Sequence, residues 1–354
     1  MFKPMDESAQ VIKQLTENGY SLPKKVGVIY SEVKREYFPT EALYITEKDA
    51  FEEAKIISEY ISKLGIESNI YPGDDTLIAK LQKDRPDMVF NLVDSVKGVD
   101  SLSSAIPGIL EMLEIPYTGG DILGLALCFN KFLTKELFLS AGVPVPHFQL
   151  FNNPNDVLDP SLRYPLISKL NEIHGAVEIT QDAVSENEKH LRERLKFLMN
   201  TYKQSVIVEE FIVGKEITAY VLEGQNRKTY LAEKIFNKPG EKYVFATFDN
   251  QWVDSEENRM SYKYEKTEDN QLKEYVRKAF DIAKMRDYAK FDIRVDISGR
   301  YYFIDSNCNP AFGPKELGTA LGYIVEDIYG ISFPEILKRL IINTMKGHVV
   351  DYTS

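Results

Sequence analysis

Between Lys290 and Asn307 the chain reads Lys-Phe-Asp-Ile-Arg-Val-Asp-Ile-Ser-Gly-Arg-Tyr-Tyr-Phe-Ile-Asp-Ser-Asn, the alternation of a β-hairpin. Successive strand residues point to opposite faces. Asp292, Arg294 and Asp296 therefore share one face, as do Tyr301, Phe303, Asp305 and Asn307. A tight turn at Ser298-Gly299 sets Asp292 directly opposite Asp305. Two carboxylates so placed repel and weaken the pairing. A hard cation between them removes that cost, and Asn307 adds a neutral oxygen ligand. Oxygen sets of this kind suit Mg2+ or Mn2+ held with substrate phosphates. The hairpin alone leaves a second reading open, a solvated ribbon with polar residues outside.

The remainder of the chain bounds the class. A length of 354 residues exceeds one ordinary core, so two or three subdomains are expected. A net charge of −11 argues against a general binder of nucleic acid or anionic membrane, while leaving room for a local basic pocket. Cys128 and Cys308 are the only cysteines, which is neither a disulfide framework nor a zinc spacing. The first residues, Met-Phe-Lys-Pro-Met-Asp-Glu-Ser, carry no apolar leader, and no run approaches ~18 apolar residues, so a cytoplasmic setting is expected.

A short polar helix is expected over 1–22, then a buried strand at 25–31. A helix over 47–64 places Phe51, Ala54, Ile57, Ile61 and Leu64 at the helical period. Strand 67–71, helix 75–83 and strand 87–93 continue the alternation, which implies a parallel, doubly wound α/β sheet. Helices over about 101–114 and 121–142 follow. After Pro144-Val-Pro146 the texture becomes α+β, with strands at 164–170 and 204–211 around a helix over 183–199. Strands at 216–222 and 229–235 open a third part, in which the polar, aromatic-dotted stretch 238–266 is long enough to be a lid or binding loop. Helix 269–285 leads into the hairpin.

Lys131 opens a helix, and Lys169 ends the apolar strand Tyr-Pro-Leu-Ile-Ser-Lys. A phosphate is a natural reason for a lysine there. A strand-edge lysine that blocks aggregation is the other. In Val206-Ile-Val-Glu-Glu-Phe-Ile-Val-Gly-Lys-Glu216 an apolar strand runs into Glu209 and Glu210. Phe211 and Ile212 can offer a flat apolar slot, and Glu216 a carboxylate for ribose hydroxyls, or the segment is a strand end with solvated acids.

Taken together these pieces resemble the ATP-grasp superfamily, and within it the D-alanine–D-alanine ligase family. The resemblance runs from about Val26 to Ile336. It rests on Phe90-Asn-Leu-Val-Asp-Ser, Ile115-Pro-Tyr-Thr-Gly-Gly-Asp121, Asn130-Lys-Phe-Leu-Thr-Lys135, Gly142-Val-Pro-Val-Pro146, Lys169, Val208-Glu-Glu-Phe, Gly214-Lys-Glu216 and Asp305-Ser-Asn-Cys-Asn-Pro310 in this order and spacing. It implies an ATP-grasp fold behind an N-terminal doubly wound domain, divided as 1–128, 129–213 and 214–354. It implies Asp292, Asp305 and Asn307 as magnesium ligands, and Lys131 and Lys169 on the ATP phosphates. Glu209, Glu210, Phe211 and Ile212 match the adenine hinge, Glu216 the ribose contact and Phe245 an aromatic near the nucleotide. Lys290 stands where the family keeps the arginine that stabilises the tetrahedral intermediate. The implied reaction joins a small-molecule carboxylate and an amine, amino acids or dipeptide-like, through an acyl phosphate. The family commonly dimerises through its N-terminal domain.

The substrate signature departs from the family. The loop after the first strand reads Ser31-Glu-Val-Lys-Arg-Glu-Tyr-Phe-Pro39 rather than a glycine-rich one, and Asp94 stands where a histidine or glutamate is usual. The phosphate flap is Asn171-Glu-Ile-His-Gly-Ala-Val177, in which His174 is a candidate neighbour of the phosphates. Lys290 keeps the charge of the arginine but loses its planar fork. Asp305 is one methylene shorter than the usual glutamate, and Ala311-Phe-Gly-Pro-Lys315-Glu316 lacks the serine that receives the acceptor carboxylate. A non-catalytic nucleotide-binding protein on a degenerate ligase scaffold is the alternative, and a carboxylate kinase a third reading.

Overall fold

The computed structural model of the chain describes residues 22–224, 226–253, 255, 258 and 261–347. All but the last residue of the helix expected over 1–22 lies outside them.

Three sheets organise the described chain. The first is parallel, with β1 (Lys25–Tyr30) between β2 (Glu67–Pro72) and β3 (Met88–Leu92). Both faces of β1 are covered. Val26, Val28 and Tyr30 pack with Ile57 and Ile61 of the helix Ala50–Lys63. Ile29 packs on the other side with Leu77, Leu81, Ile106 and Leu110. This is the doubly wound arrangement, and it explains why β1 reads as an almost unbroken apolar run.

The second sheet is antiparallel, in the order β4 (Phe148–Phe151), β7 (Val206–Glu210), β5 (Leu166–Leu170), β6 (Val184–Ser185). The helix Glu188–Tyr202 covers it with Leu191, Leu195 and Leu198. The third runs β10 (Tyr262–Lys266), β9 (Lys228–Phe236), β8 (Gly214–Leu222), β11 (Tyr288–Asp296), β12 (Tyr301–Asn307), also antiparallel. Its core face meets Leu272, Val276, Ala279 and Phe280, the apolar stripe of the helix Asn270–Ile282. Among the described residues no helix is long and apolar enough to cross a membrane.

Three expected elements differ. The helix expected over 183–199 starts only at Glu188 and runs to Tyr202, because Val184–Ser185 pair with β5 as β6 and Asn187 caps the helix. The helix expected over 121–142 is two, Ile122–Cys128 and Lys131–Ser140, because extended Asn130 caps the second by accepting the Leu133 N–H at 2.9 Å. The excursion 238–266 contains a short helix, Phe248–Trp252, opened by a capping box between Thr247 and Asn250, and then strand β10.

The hairpin keeps its essential pairing by a different route. Asp292 does face Asp305, but near the tip Val295 faces Tyr301 and Ile293 faces Phe303. The turn is one residue longer than Ser298-Gly299 alone allows, with the Asp296 and Arg300 backbones bonded across it and Gly299 at φ +80°. An extra residue at Ile304 then resets the register between Ile293 and Asp292. The bulge also reverses the phase of β12, which corrects the expected face. Phe303 is fully buried in the core with Tyr301 packed beside it, so neither shares a face with Asp305.

Candidate functional site

The site gathers where β11 and β12 meet the second sheet. Burial opposes ionisation of Asp292, but Lys234 and Lys290 overcome it and hold its carboxyl far below the usual carboxylate range. Lys290 Nζ lies 2.7 Å from Asp292 Oδ2, Lys234 Nζ 3.3 Å from Oδ1, and the Thr218 hydroxyl donates to Oδ1 at 2.9 Å. Asp305 is lowered too: burial again opposes, and Lys131, 3.5 Å away, and Lys169 outweigh it. Asn307 sits opposite Lys290, and its Oδ1 accepts the Asn309 N–H at 2.9 Å.

Lys169 is not at a sheet edge. β5 is flanked on both sides, and the ammonium points into the structure, donating to the Ile304 carbonyl at 2.8 Å and lying 3.1 Å from Glu209 Oε2. That carbonyl belongs to the bulged residue, so the lysine takes up an acceptor that the ladder leaves free. Lys131 Nζ donates to the Ile173 carbonyl at 2.9 Å and ties the start of its helix to the flap. Four partners that sequence reasoning missed complete the network. Lys135 Nζ bonds the Phe303 carbonyl at 3.0 Å and lies 3.3 Å from Glu209 Oε1. Lys234 Nζ donates to Glu216 Oε1 at 2.7 Å, and Arg294 Nη2 approaches Glu216 Oε2 at 3.2 Å. Thr218 is the fourth. Lys135 carried a signal, one helical turn after Lys131, and Arg294 another, on the strand face of Asp292.

Three expected side chains are held in ion pairs. Glu209 is 0% exposed and turned inward between Lys135 and Lys169, since it alternates with Glu210 along β7. Glu216 is buried with an oxygen to each of Lys234 and Arg294. His174 does not face the Asp292–Asp305 pair. Its Nδ1 lies 2.7 Å from Asp100 and its Nε2 3.8 Å from Glu47, and those acids with Asp94 overcome burial to raise it to about 10. The hinge keeps an apolar slot: the Phe211 ring meets Phe245 at 5.5 Å and Tyr243 at 5.2 Å, with the Arg294 guanidinium over it at 5.3 Å. Glu210 accepts the Arg163 N–H at 2.9 Å, and Ile212 follows half-buried.

The 238–266 excursion closes onto the flap. Trp252 Nε1 donates to the Gly175 carbonyl at 2.6 Å, and the Phe248 N–H to the Ile179 carbonyl at 2.8 Å. Near the family's acceptor segment, Lys315 is ion-paired with Asp327.

Residues 137–342, more than half of the chain, match the family described as D-ala D-ala ligase C-terminus. The chain belongs to the D-alanine–D-alanine ligase family. It is an ATP-dependent carboxylate–amine ligase on the ATP-grasp fold. This ligase is 26% identical over 276 residues to D-alanine–D-alanine ligase B of Pseudomonas putida, covering 74% of the chain and 79% of that protein. It is 28% identical over 258 residues to the D-alanine–D-alanine ligase of Aquifex aeolicus, covering 72% and 83%. In fold it is similar to the Bacillus anthracis D-alanine–D-alanine ligase complexed with ATP, with a TM-score of 0.69 and 19% identity over 93% of the ligase and 99% of that chain. The non-catalytic alternative gains no support from these relatives.

Proposed function

We propose that the cationic cluster around the bulged hairpin holds Mg-ATP and transfers its γ-phosphoryl group to a small-molecule carboxylate, giving ADP and an acyl phosphate that an amine then attacks, forming the amide and releasing inorganic phosphate. The observation that carries this reading is the charge arrangement. Six cations, Lys131, Lys135, Lys169, Lys234, Lys290 and Arg294, surround four carboxylates, Glu209, Glu216, Asp292 and Asp305. A cationic surplus of this kind suits a polyphosphate in a partly dry site.

Asp292, Asp305 and Asn307 suit a divalent cation: two opposed carboxylates, both held ionised, and an amide oxygen. Such an ion supplies charge neutralisation at the phosphate oxygens. Lys131 and Lys169 would orient the phosphates, while Phe211, Ile212 and Phe245 hold the base. Lys290, beside Asp292, would stabilise the oxyanion of the second step. Trp252 and the closed excursion would keep water from the acyl phosphate.

Amino acids or dipeptide-like molecules are the substrates in this reading, D-alanine being the named activity of the relatives, and the setting is cytoplasmic. What supports a three-part division at about 128 and 213 is that each sheet is drawn from one part. Dimerisation through the N-terminal part rests on the family resemblance.

ADP release, measured with Mg2+ against paired carboxylates and amines, tests the proposal. Release that requires both partners and disappears in Asp292→Ala is expected. ATP binding without turnover for any pair would overturn it, and ADP release with no need for an amine would make the protein a carboxylate kinase.

A further inference from the structure

The hairpin leads directly into a cleft of about 50 Å³ that the phosphoryl-transfer residues do not use. Asn309, Pro310 and Ala311 form one wall, two residues beyond Asn307, and the start of the helix Ala50–Lys63 forms the other. A single water needs roughly 10–15 Å³ by this measure, so the cleft can take the end of a small aminoalkyl chain. Its chemistry is one-sided. Glu47, Asp49, Glu53 and Asp94 line it, with the rings of Trp252 and Phe312, and among the described residues no lysine, arginine or histidine lines it.

The carboxylates are short of counter-charge. Glu47 is 4% exposed, and its Oε2 accepts from Ser95 at 2.9 Å, but among the described residues its Oε1 has no hydrogen-bond donor. Among the described residues the cation paired with it is His174, 3.8 Å away and already bonded to Asp100. Burial pushes Glu47 and Glu53 up, Glu53 with help from Asp49. It takes Asp94 to about 7 although His174 opposes the rise. A buried acceptor left without a donor is costly unless a ligand completes it.

We propose that this cleft binds a positively charged amine on one substrate, of the class of a diamine or a basic amino acid side chain, with Glu47 accepting from it and Trp252 offering a ring face. The indole N–H is taken by the Gly175 carbonyl, which leaves the ring as wall. A second carboxylate on the substrate is rejected here by charge. The assignment rests on the ligase reading for its place beside the reacting groups, but its binding chemistry stands on the cleft alone.

Calorimetric titration of the protein saturated with Mg2+ and a non-hydrolysable ATP analogue, using putrescine, lysine, alanine and glutamate as probes, tests it. Putrescine or lysine is expected to bind at least about tenfold more tightly than alanine, with no detectable glutamate binding. Glu47→Gln and the half-exposed Glu53→Gln should each remove most of that preference while the melting temperature and ATP-analogue affinity hold. Equal binding of cationic and neutral probes, or a preference that survives both substitutions, would overturn the proposal. Cationic probes that bind while no carboxylate–amine pair releases ADP would sink the ligase reading and leave the cleft assignment intact. ADP release with neutral substrates alone, without cation binding, would sink only the cleft assignment.

Discussion

Glu209→Gln separates two accounts of one residue. As a hinge contact, Glu209 would matter for ATP affinity and little for stability. The structure instead buries it between Lys135 and Lys169, at 3.3 and 3.1 Å. Glutamine keeps the shape and removes the charge, leaving two buried ammoniums without their shared carboxylate. Breaking a buried pair from one side costs about 3–5 kcal/mol. A loss of about 3–5 kcal/mol at pH 7 is therefore expected in urea unfolding. Lys135 is the lysine to yield, since burial already lowers it to about 8 against the pull of Glu209. A lysine whose pKa is lower in the folded than in the unfolded chain makes stability rise with pH between the two values. Removing Glu209 extends that window downward. The deficit of the variant relative to the parent should therefore shrink as pH rises from 7 through about 8, the folded value in the parent, and level off above it. A deficit below about 1 kcal/mol, or one independent of pH, would refute the reasoning, and lost ATP affinity at unchanged stability would return Glu209 to the hinge.

Other perturbations follow from the same contacts. His174→Asn should cost about 3–5 kcal/mol at neutral pH by leaving Asp100 without the cation bonded to it. Because the folded pKa of His174 is raised, its contribution is complete below about 6.5 and fades as pH rises through about 10, so unfolding curves of the variant should lack that alkaline fall. Trp252→Ala removes the bond to Gly175, and amine-independent ADP release should increase as water reaches the acyl phosphate; coupling as tight as the parent's would exclude a lid role. Lys290→Ala should lower turnover by about 10²–10³ with little change in ATP affinity, and equal losses in both would make it a nucleotide or structural contact.

Some of this was legible in the sequence for sound reasons and some by compensation. Strand–helix alternation around Val26–Leu92 gave the parallel sheet, because burial on both faces leaves an unmistakable apolar run. Asp292 opposite Asp305 came from assuming a short turn and no bulge, and the two one-residue differences cancel. Phe303 shows the cost of that assumption, since its face was misjudged. Lys169 stood out because a lysine closing an apolar strand needs a partner. Lys234 did not, and Arg294 showed only the face it shares with Asp292, because charged residues in strands look solvated until the sheet order brings β8, β9 and β11 together over Glu216. His174 stands out in the flap, but its protein contacts cannot be read from the sequence. Its partner Asp100 lies 74 residues away, and only tertiary structure brings them together.

The bulge at Ile304 also makes the hairpin divisible. The register is fixed once at the tip and again at the bulge, so pairing beyond it does not inherit what happens at the turn. The tip is open: Ile297 is 95% exposed, and nothing lies within 4 Å of where a Gly299 side chain would project. A fluorophore or short peptide tag inserted at 297–299 should thus leave Asp292 and Asp305 facing each other, giving the ligase a built-in handle for immobilisation or distance measurement on the strand pair that carries its chemistry.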